Sequence, residues 1–543
     1  MKKTLFLFFV LQSFFLSAQH LISLNEIRSY TLTQIDSAYS AMGLPSMLMP
    51  KDYEVKVYWI MYNSVLPDSI TPTQISGLLI IPQNKSCPSS ILSYQHGTMM
   101  TKAEAPSKMG GKEWVLGLAM GAAGYIAALP DYIGLGHDLV NNHPYQHARS
   151  EATATVDMIR AVREVCLQEN IDLNGQVLLS GYSQGGHATM AAHRMMQRSF
   201  PTEFEVSASV PMSGPYSMST AMKDVMLTNN PYPAPYYLPY VLLSFQNIYA
   251  AYPAVSDFLN TPYDTQLPPL YSGYNSASEV NALMPSVPKN IIRSTVLSAF
   301  DVDSNHIFRT LLKDNDVYAW KPESQVHMLY CGADKHVPPQ NTFIAYDYMQ
   351  ALGAQVSKMN VNDVMDHTPC AEVAMMHMKS IFDTIRHDRI NLIFHAQNPS
   401  LASTQDGSIS LQIQGVKPPY TVSWSTGEQV TQLNNIGVGL YTVTVSSPNA
   451  CQPVTASYFL NASTALSEEK SDLFNVFPNP GNGLVHISSA SQIGNLKVMH
   501  ITGEMVYSTS TDQMNLDLDL SHLSPGIYVI LTDAQSPFRY IKY

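Results

Sequence analysis

The feature that most constrains this chain is a serine held between two glycines, where a strand pattern changes to a helix pattern. Gln176–Ser180 has the apolar character of a buried strand, Gly181-Tyr-Ser183-Gln-Gly185 follows it, and the spacing from His187 onward predicts a helix. A turn this tight needs glycines, because other side chains would collide with the neighbouring backbone. It would expose the Ser183 hydroxyl and direct the first N–H groups of the helix toward a developing negative charge. We therefore predict that Ser183 is a nucleophile.

A nucleophilic serine needs a histidine base and a carboxylate that orients the base, and after such a turn they follow in the order Asp, His. Asp334 comes just after the strand pattern 326–331. His367 lies in a turn after the strand pattern 356–361, ahead of a helix from about Ala371. The carboxyl ends of parallel strands meet at one edge of a sheet, where open α/β folds place their sites. We predict Asp334 and His367 as the partners of Ser183.

Other acidic and histidine residues lie near this region of the sequence. Asp363 and Asp366 are weaker candidates for the carboxylate because they are too close to His367 along the chain for the usual geometry. His377 falls inside the predicted helix and His387 near its end, where we expect solvated side chains.

A serine nucleophile also needs donors for the oxyanion. One is the backbone N–H of Gln184, directly after the serine. The second is expected from the loop after the third predicted strand, where the chain reads Tyr94-Gln-His96-Gly97-Thr98. We assign it to the backbone N–H of Thr98.

Up to about Asn391, strand and helix patterns alternate, which predicts a mostly parallel sheet with helices on both faces, an α/β fold. Beyond about Phe394, short Val/Thr/Tyr strands alternate with Gly, Asn, Ser and Pro turns, which predicts two small β-sandwich domains. We place the domains at 20–394, 395–463 and 470–543, with a linker near Thr464–Lys470.

Composition excludes several classes of protein. Charged residues make up only 13% of the chain while hydrophobic residues make up 45%, which argues against a disordered chain or a coiled coil. The net charge of −12 argues against binding to nucleic acid, which requires clustered Lys and Arg.

The N-terminus has the features of a signal peptide. Lys2 and Lys3 precede an apolar run, Leu5 to Leu16, and Ser17-Ala18 supplies small residues for cleavage, so residues 1–18 would be removed. The run is too short for a membrane anchor, and we find no later apolar stretch of spanning length. The mature chain is expected to be exported and to have no transmembrane segment.

Cysteines and histidines give weaker signals. The five cysteines are widely spaced, and their odd number leaves at least one thiol unpaired. Three histidines, His137, His143 and His147, lack the ligand spacing of a metal site, so a helix-entry loop is the better interpretation. We predict neither a metal nor a cofactor.

Several segments together resemble the secretory lipase family of α/β-hydrolases over roughly residues 50–390. They are Gln95-His-Gly-Thr98, Pro130-Asp-Tyr-Ile-Gly-Leu-Gly136, His143-Pro-Tyr145, Gly181-Tyr-Ser-Gln-Gly-Gly-His187, Tyr318-Ala-Trp-Lys-Pro322, Gly332-Ala-Asp-Lys-His-Val-Pro338 and Asp366-His367-Thr-Pro369. The resemblance implies the triad Ser183–Asp334–His367, hydrolysis of carboxylic esters through an acyl-enzyme, and a helical lid.

The spacing along the chain agrees with a lid inserted at about 215–318, where aromatic residues could line an apolar acyl tunnel. An ordinary packed insertion is the alternative. The aromatic residues are Tyr232, Tyr236, Tyr237, Tyr240, Phe245, Tyr249, Tyr252 and Phe258. Cys331 and Cys370 each lie three residues from a predicted triad member, so a disulfide between them, if formed, would brace the site.

The two tail segments carry resemblances of their own. Residues 395–463, with Trp424 and Tyr441, resemble the immunoglobulin-like SprB-type repeat of cell-surface proteins. The last segment, with Val476-Phe-Pro478-Asn-Pro-Gly481 and Gly526-Ile-Tyr528, resembles the C-terminal sorting domain of the type IX secretion system. That resemblance implies passage across an outer membrane with the secretion machinery as a partner.

The sequence therefore predicts a secreted or surface-attached lipase or esterase that acts on an ester or lipid. A peptidase or acyltransferase on the same scaffold is the nearest alternative. A surface adhesion protein with an inactive hydrolase domain is the alternative from another class.

Overall fold

The computed structural model describes residues 19–44, 49–462, 474–477, 481, 483–489, 492–500, 505–524, 526–532 and 535–542. The predicted signal peptide and linker lie outside these residues. By the density of internal contacts the chain divides into two units. The first comprises residues 1–396, 408–434 and 440–459, and the second comprises 397–407, 435–439 and 460–543.

The first unit is built on a nine-stranded sheet of order β1-β2-β3-β5-β4-β6-β7-β8-β9. The strands are β1 Leu21–Tyr30, β2 Val55–Val65, β3 Pro72–Pro82, β4 Ser89–Gln95, β5 Ile126–Pro130, β6 Leu173–Tyr182, β7 Glu205–Met212, β8 Gln325–Cys331 and β9 Val356–Asn362. The first three pairs in this order, β1–β2, β2–β3 and β3–β5, are antiparallel. All the remaining pairs, from β5–β4 to β8–β9, are parallel. The predicted α/β fold, with a mostly parallel sheet, is confirmed.

Helices cover both faces of this sheet because each contributes an apolar stripe to a buried cluster. They are α1 Leu32–Ala41, α2 Trp114–Ala122, α3 Ala148–Gln168, α4 Gln184–Ser199, α11 Gln340–Ala351 and α12 His367–Ile385. Buried residues of α3, α4 and α11 form one cluster, and those of α1, α2 and α12 form another. Within the described residues, no helix combines the length and apolarity needed to cross a bilayer.

Between β7 and β8 the chain forms a helical insertion, residues 213–324. It contains α5 Lys223–Met226, α6 Tyr237–Tyr249, α7 Tyr263–Gln266, α8 Ala277–Leu283, α9 Ser294–Val302 and α10 Ile307–Asp314. Most residues of a third apolar cluster come from the insertion, and its Phe245 and Phe258 are fully buried. The insertion agrees in position with the predicted lid.

After α12 the chain continues as small antiparallel sheets, as predicted. Their strands are β10 Asn391–Gln397, β11 Gly407–Gln414, β12 Thr421–Trp424, β13 Gln432–Ile436, β14 Gly439–Ser446, β15 Val454–Leu460, β16 Phe474–Phe477, β17 Leu484–Ser489, β18 Gly494–His500, β19 Met505–Thr511, β20 Asn515–Asp519, β21 Gly526–Thr532 and β22 Gln535–Lys542. Phe394 of β10 packs against Trp424 and Tyr458 of the facing sheet. Val485, Leu496 and Tyr540 share a second core, in the sheets formed by β16 to β22.

Two disulfides occur in the first unit. Cys331 and Cys370 are bonded with their Cα atoms 6.0 Å apart, so the pair considered from the sequence is present. Cys87 and Cys451, which nothing in the sequence linked, form the other with Cα atoms 4.7 Å apart. Cys166 is the unpaired thiol, and burial raises its pKa to about 12.

Candidate active site

Ser183 occupies the turn between β6 and α4 in a strained conformation. Its φ of +59° is one that residues with a side chain rarely adopt. A Cβ on Gly181 would lie 2.3 Å from the carbonyl oxygen of Gly185, and a Cβ on Gly185 would lie 1.9 Å from that of Gln95. Only glycine fits at both positions, because any Cβ there would collide with neighbouring backbone, as the sequence analysis predicted.

The three side chains singled out from the sequence lie together in one hydrogen-bonded chain. His367 Nε2 is 2.8 Å from Ser183 Oγ, and His367 Nδ1 is 2.7 Å from Asp334 Oδ2. A carboxylate accepts, so Nδ1 carries the proton and Nε2 is free to accept the serine proton. All three residues are buried, with exposed fractions of 7% for Ser183, 4% for His367 and 5% for Asp334.

Backbone contacts hold Asp334 and His367 in this orientation. The second carboxylate oxygen of Asp334 accepts the N–H groups of His336, at 3.0 Å, and Val337, at 2.8 Å. The Tyr182 hydroxyl donates to the carbonyl oxygen of His367 at 2.5 Å. The carboxylate thus has one oxygen left for the imidazole.

The sequence prediction for the start of the last helix was wrong. His367 is not in a turn before a helix from about Ala371, because it is itself the first residue of α12. The turn was predicted because of Pro369. The first turn of a helix nevertheless tolerates proline, because the backbone N–H groups of that turn have no hydrogen-bond partner within the helix. The consequence is that His367 is held by a regular helix and not by a loop.

The weaker carboxylate candidates bind elsewhere. Asp366 caps α12, accepting the N–H of His367 at 2.7 Å and of Lys335 at 2.9 Å. Burial acts against ionisation, but these two N–H groups hold the pKa of Asp366 below its usual value. Asp363 contacts the Asn360 side chain. In the described structure, neither bonds the imidazole.

The loop with Gly97 and Thr98, which is predicted to supply the second oxyanion donor, lies against Ser183. A Cβ on Gly97 would lie 3.8 Å from Ser183 Cβ. Among the described residues, the backbone N–H groups of Thr98 and Gln184 donate to no protein acceptor. The Thr98 hydroxyl is 2.8 Å from the Tyr145 hydroxyl. Both N–H groups therefore remain available to a ligand.

Two residues near the site were given no role from the sequence. Glu113 accepts the Gly97 N–H with both carboxylate oxygens at 3.1 Å, and burial raises the pKa of Glu113. His336 stacks on His367 with ring centroids 5.1 Å apart and planes 12° apart. Glu113 belongs to no segment singled out from the sequence. His336 lies within the segment Gly332–Pro338, but nothing in that segment signals its contact with His367.

An apolar cavity opens from Ser183 into the insertion. Its walls include Met218, Met222, Leu242, Phe245, Val296 and Phe300, with Lys223 as the charged residue. Of the eight aromatic residues predicted to line a tunnel, Tyr237 and Phe245 do so. Aliphatic and methionine side chains provide most of the remaining surface.

Histidines considered for metal binding have other partners in the described structure. His143 Nδ1 donates to the Ile133 carbonyl at 2.9 Å, and His147 caps α3. His137 stacks on Trp59. Each of the three side chains therefore contacts a different group, and the three do not form a common ligand set among the described residues.

Residues 111–375 match the secretory lipase family. This secretory lipase segment contains Ser183, Asp334 and His367, and the resemblance stated from the sequence is confirmed. Residues 475–541 match the secretion system C-terminal sorting domain, which confirms the resemblance of the last segment. The likeness of residues 395–463 to the SprB-type repeat stays a prediction.

Solved structures resemble the secretory lipase segment and its flanks. A protein described as a hydrolase from Legionella pneumophila is 28% identical with a TM-score of 0.63, over 67% of this chain and 98% of that one. The ligand-bound rice cell wall degrading esterase LipA from Xanthomonas oryzae is 27% identical with a TM-score of 0.61, over 67% and 97%. A search among curated proteins found no match.

These findings support a hydrolase of the lipase and esterase type. The sorting domain adds the destination, a secreted or cell-surface location reached across the outer membrane, and implies contact with the secretion machinery.

Proposed function

We propose that this protein is a secreted serine hydrolase that cleaves carboxylic esters through Ser183, His367 and Asp334. The observation that carries the proposal is the hydrogen-bonded chain from Ser183 Oγ to His367, at 2.8 Å, and on to Asp334, at 2.7 Å. That order of groups removes the serine proton as the oxygen attacks and stabilises the imidazolium that results.

The reaction proceeds in two steps. Ser183 Oγ attacks the ester carbonyl while its proton passes to His367 Nε2, and the N–H groups of Thr98 and Gln184 bind the oxyanion. The C–O bond to the alcohol then breaks, and the alcohol leaves with the proton from His367. Water repeats the sequence on the acyl-enzyme, so that a carboxylic acid is released and Ser183 regains its proton.

The cavity supports an apolar acyl group. Ser183 shares its walls with methionine, leucine, valine and phenylalanine side chains, against which a hydrocarbon group gains free energy by leaving water. A peptide would bring backbone N–H and C=O groups that these side chains cannot satisfy. Acyl or lipid esters are therefore favoured over peptides as substrates.

The test uses the full mature chain with p-nitrophenyl esters of increasing acyl length and a panel of peptides. We expect ester hydrolysis in the wild type and a loss of at least about 1000-fold in kcat for Ser183→Ala. The matched control is Ser199→Ala, which changes an exposed serine at the end of the same helix, α4.

Circular dichroism should show that Ser183→Ala stays folded. Retained hydrolysis in that folded variant would overturn the proposal, and faster peptide than ester cleavage would favour a peptidase. A fluorophosphonate probe should label Ser183 of the wild type. An unlabelled protein would instead indicate an inactive hydrolase domain.

A further inference from the structure

A cluster of buried polar side chains lies directly below the serine turn. Glu151 of α3 meets Gln184 and His187 of α4, and His143 joins from the preceding loop. Their exposed fractions are 1% for Glu151, 0% for Gln184 and His187, and 5% for His143. Burying a charge costs free energy unless it is paired and hydrogen-bonded, so the composition of this cluster needs a reason.

Glu151 and His187 form a buried pair, and a further partner fixes the proton on one nitrogen of the imidazole. His187 Nε2 is 2.8 Å from the carbonyl oxygen of Asn315, which only accepts, so Nε2 carries a proton. His187 Nδ1 is 2.6 Å from Glu151 Oε2. Burial acts to raise the pKa of Glu151, but His187 and the Gln184 amide outweigh it and lower that pKa. Glu151 is therefore a buried carboxylate that contacts the side chains of both His187 and Gln184.

The Gln184 side chain is fixed by two acceptors. Its Nε2 donates to Glu151 Oε1 at 2.9 Å and to His143 Nε2 at 2.7 Å. His143 can accept there because its Nδ1 donates to Ile133, and burial lowers the pKa of His143 to about 4. Both amide protons of Gln184 are thus used, and the side chain has one orientation.

Both anchored residues belong to the first turn of α4, and that turn carries the proposed oxyanion donor. Gln184 supplies this backbone N–H, and the N–H groups of Gly186 and His187 point back to the Ser183 carbonyl at 2.9 and 3.3 Å. Oxyanion donors act only if they are oriented before the charge forms. A carboxylate that holds two side chains of the turn restricts where the Gln184 N–H can point.

We propose that Glu151 is a positioning residue of the oxyanion hole, acting through the side chains of Gln184 and His187. The inference rests on the proposed ester hydrolysis and adds to it a group that touches neither substrate nor triad. Because the oxyanion exists only beyond the ground state, losing this orientation should lower kcat and leave KM nearly unchanged.

The variant that tests this is Glu151→Leu in the full mature chain. Leu approximates the size of the side chain but has no atom that can accept a hydrogen bond from Gln184 or bond His187 Nδ1. We expect a fall in kcat of roughly 10- to 100-fold with KM within about twofold. Affinity for an aliphatic trifluoromethyl ketone, whose adduct places an oxyanion in the hole, should fall by the same factor as kcat/KM.

The matched control is Asp157→Leu, which likewise replaces a buried carboxylate of α3 by an apolar side chain. Asp157 contacts the Ser64 hydroxyl at 2.9 Å and Arg160 at 3.0 Å, away from α4. We expect this change to lower Tm and leave kcat and inhibitor affinity unchanged. Equal losses of kcat in both variants, in proportion to Tm, would show a merely structural role and overturn the inference.

Gln184→Met covers the case in which Glu151→Leu does not fold. It retains the backbone N–H and removes both side-chain hydrogen bonds, so kcat and ketone affinity should again fall together. Unchanged kcat in either folded variant overturns the inference. In that case, ester hydrolysis by the wild type and its loss in Ser183→Ala would still support the proposed function. Absence of hydrolysis in the wild type would reject the proposed function itself.

Discussion

Cys331 is disulfide-bonded to Cys370, and each lies three positions along the chain from a member of the proposed triad. The bond joins the end of β8, which leads to Asp334, to the first turn of α12, which begins with His367. Both cysteines are fully buried. A covalent link therefore limits how far the carboxylate and the imidazole can move apart.

The double variant Cys331→Ala/Cys370→Ala should lose both stability and activity. The disulfide closes a segment with a sequence separation of 39, which in the chain-entropy model corresponds to ~4 kcal/mol. We expect a lower urea midpoint and a lower kcat, measured on the same preparation. Cys166→Ala, which removes the buried free thiol, is the control and should leave kcat unchanged.

His336→Phe should alter the acid side of the pH–rate profile. The pKa of His336 is lowered by burial and by His367, with Asp366 and Asp334 opposing, so the ring charges only at acid pH. Its charge, stacked on His367, would disfavour the imidazolium formed during attack. The variant keeps an aromatic ring and should retain more of its kcat/KM as pH falls. If kcat/KM of the wild type and of His336→Phe fell identically with decreasing pH, an effect of the His336 charge on His367 would be contradicted.

Stability should fall as the pH drops from about 6.5 toward 4. Burial lowers the pKa of His143 to about 4 and that of His193 to about 3. The folded state therefore keeps both neutral while the unfolded state binds protons, so the stabilisation present above pH 6.5 is lost on acidification. His143 alone should account for about 3 kcal/mol at full loss. Urea unfolding at several pH values checks this, and a flat profile would contradict it.

Narrowing the cavity should change the preference for acyl length. Met222 is a buried residue of the cavity wall and not a member of the triad, so Met222→Trp should fill part of the cavity. Each buried methylene contributes about 0.8 kcal/mol, so kcat/KM for p-nitrophenyl decanoate should fall by at least about tenfold relative to acetate. The control is Leu139→Trp at an exposed position, which should leave the ratio unchanged. Equal effects on both esters would place the acyl chain outside this cavity.

Much of the fold could be predicted because the inner strands of the central sheet, such as β4 and β5, are buried on both faces and therefore apolar. The strand patterns at 176–180 and 326–331 recur as β6 and β8 with ends shifted by a few residues. The edge strand β1 was missed, since most of its side chains face solvent and its pattern is polar. The helix α1 was not predicted either.

Ser183, Asp334 and His367 could be chosen from the sequence because their motif, order and positions after strands are local properties of the chain. Glu113, Glu151 and His336 could not, because each acts through contacts that a linear pattern does not record. The same holds for Cys87 and Cys451, whose sequence separation is 364. Only folding brings such groups within hydrogen-bonding or bonding distance.

The sequence by itself determined the serine turn, because only glycine, which has no Cβ, fits beside the neighbouring backbone. The spacing of apolar residues also determined the alternating order of strands and helices. The tertiary structure decided which carboxylate meets His367, where the cavity opens, and which side chains hold the oxyanion donors in place. The reason is that backbone sterics and periodicity act between neighbours in the chain, whereas the orientation of a proton or a charge depends on groups supplied from distant segments.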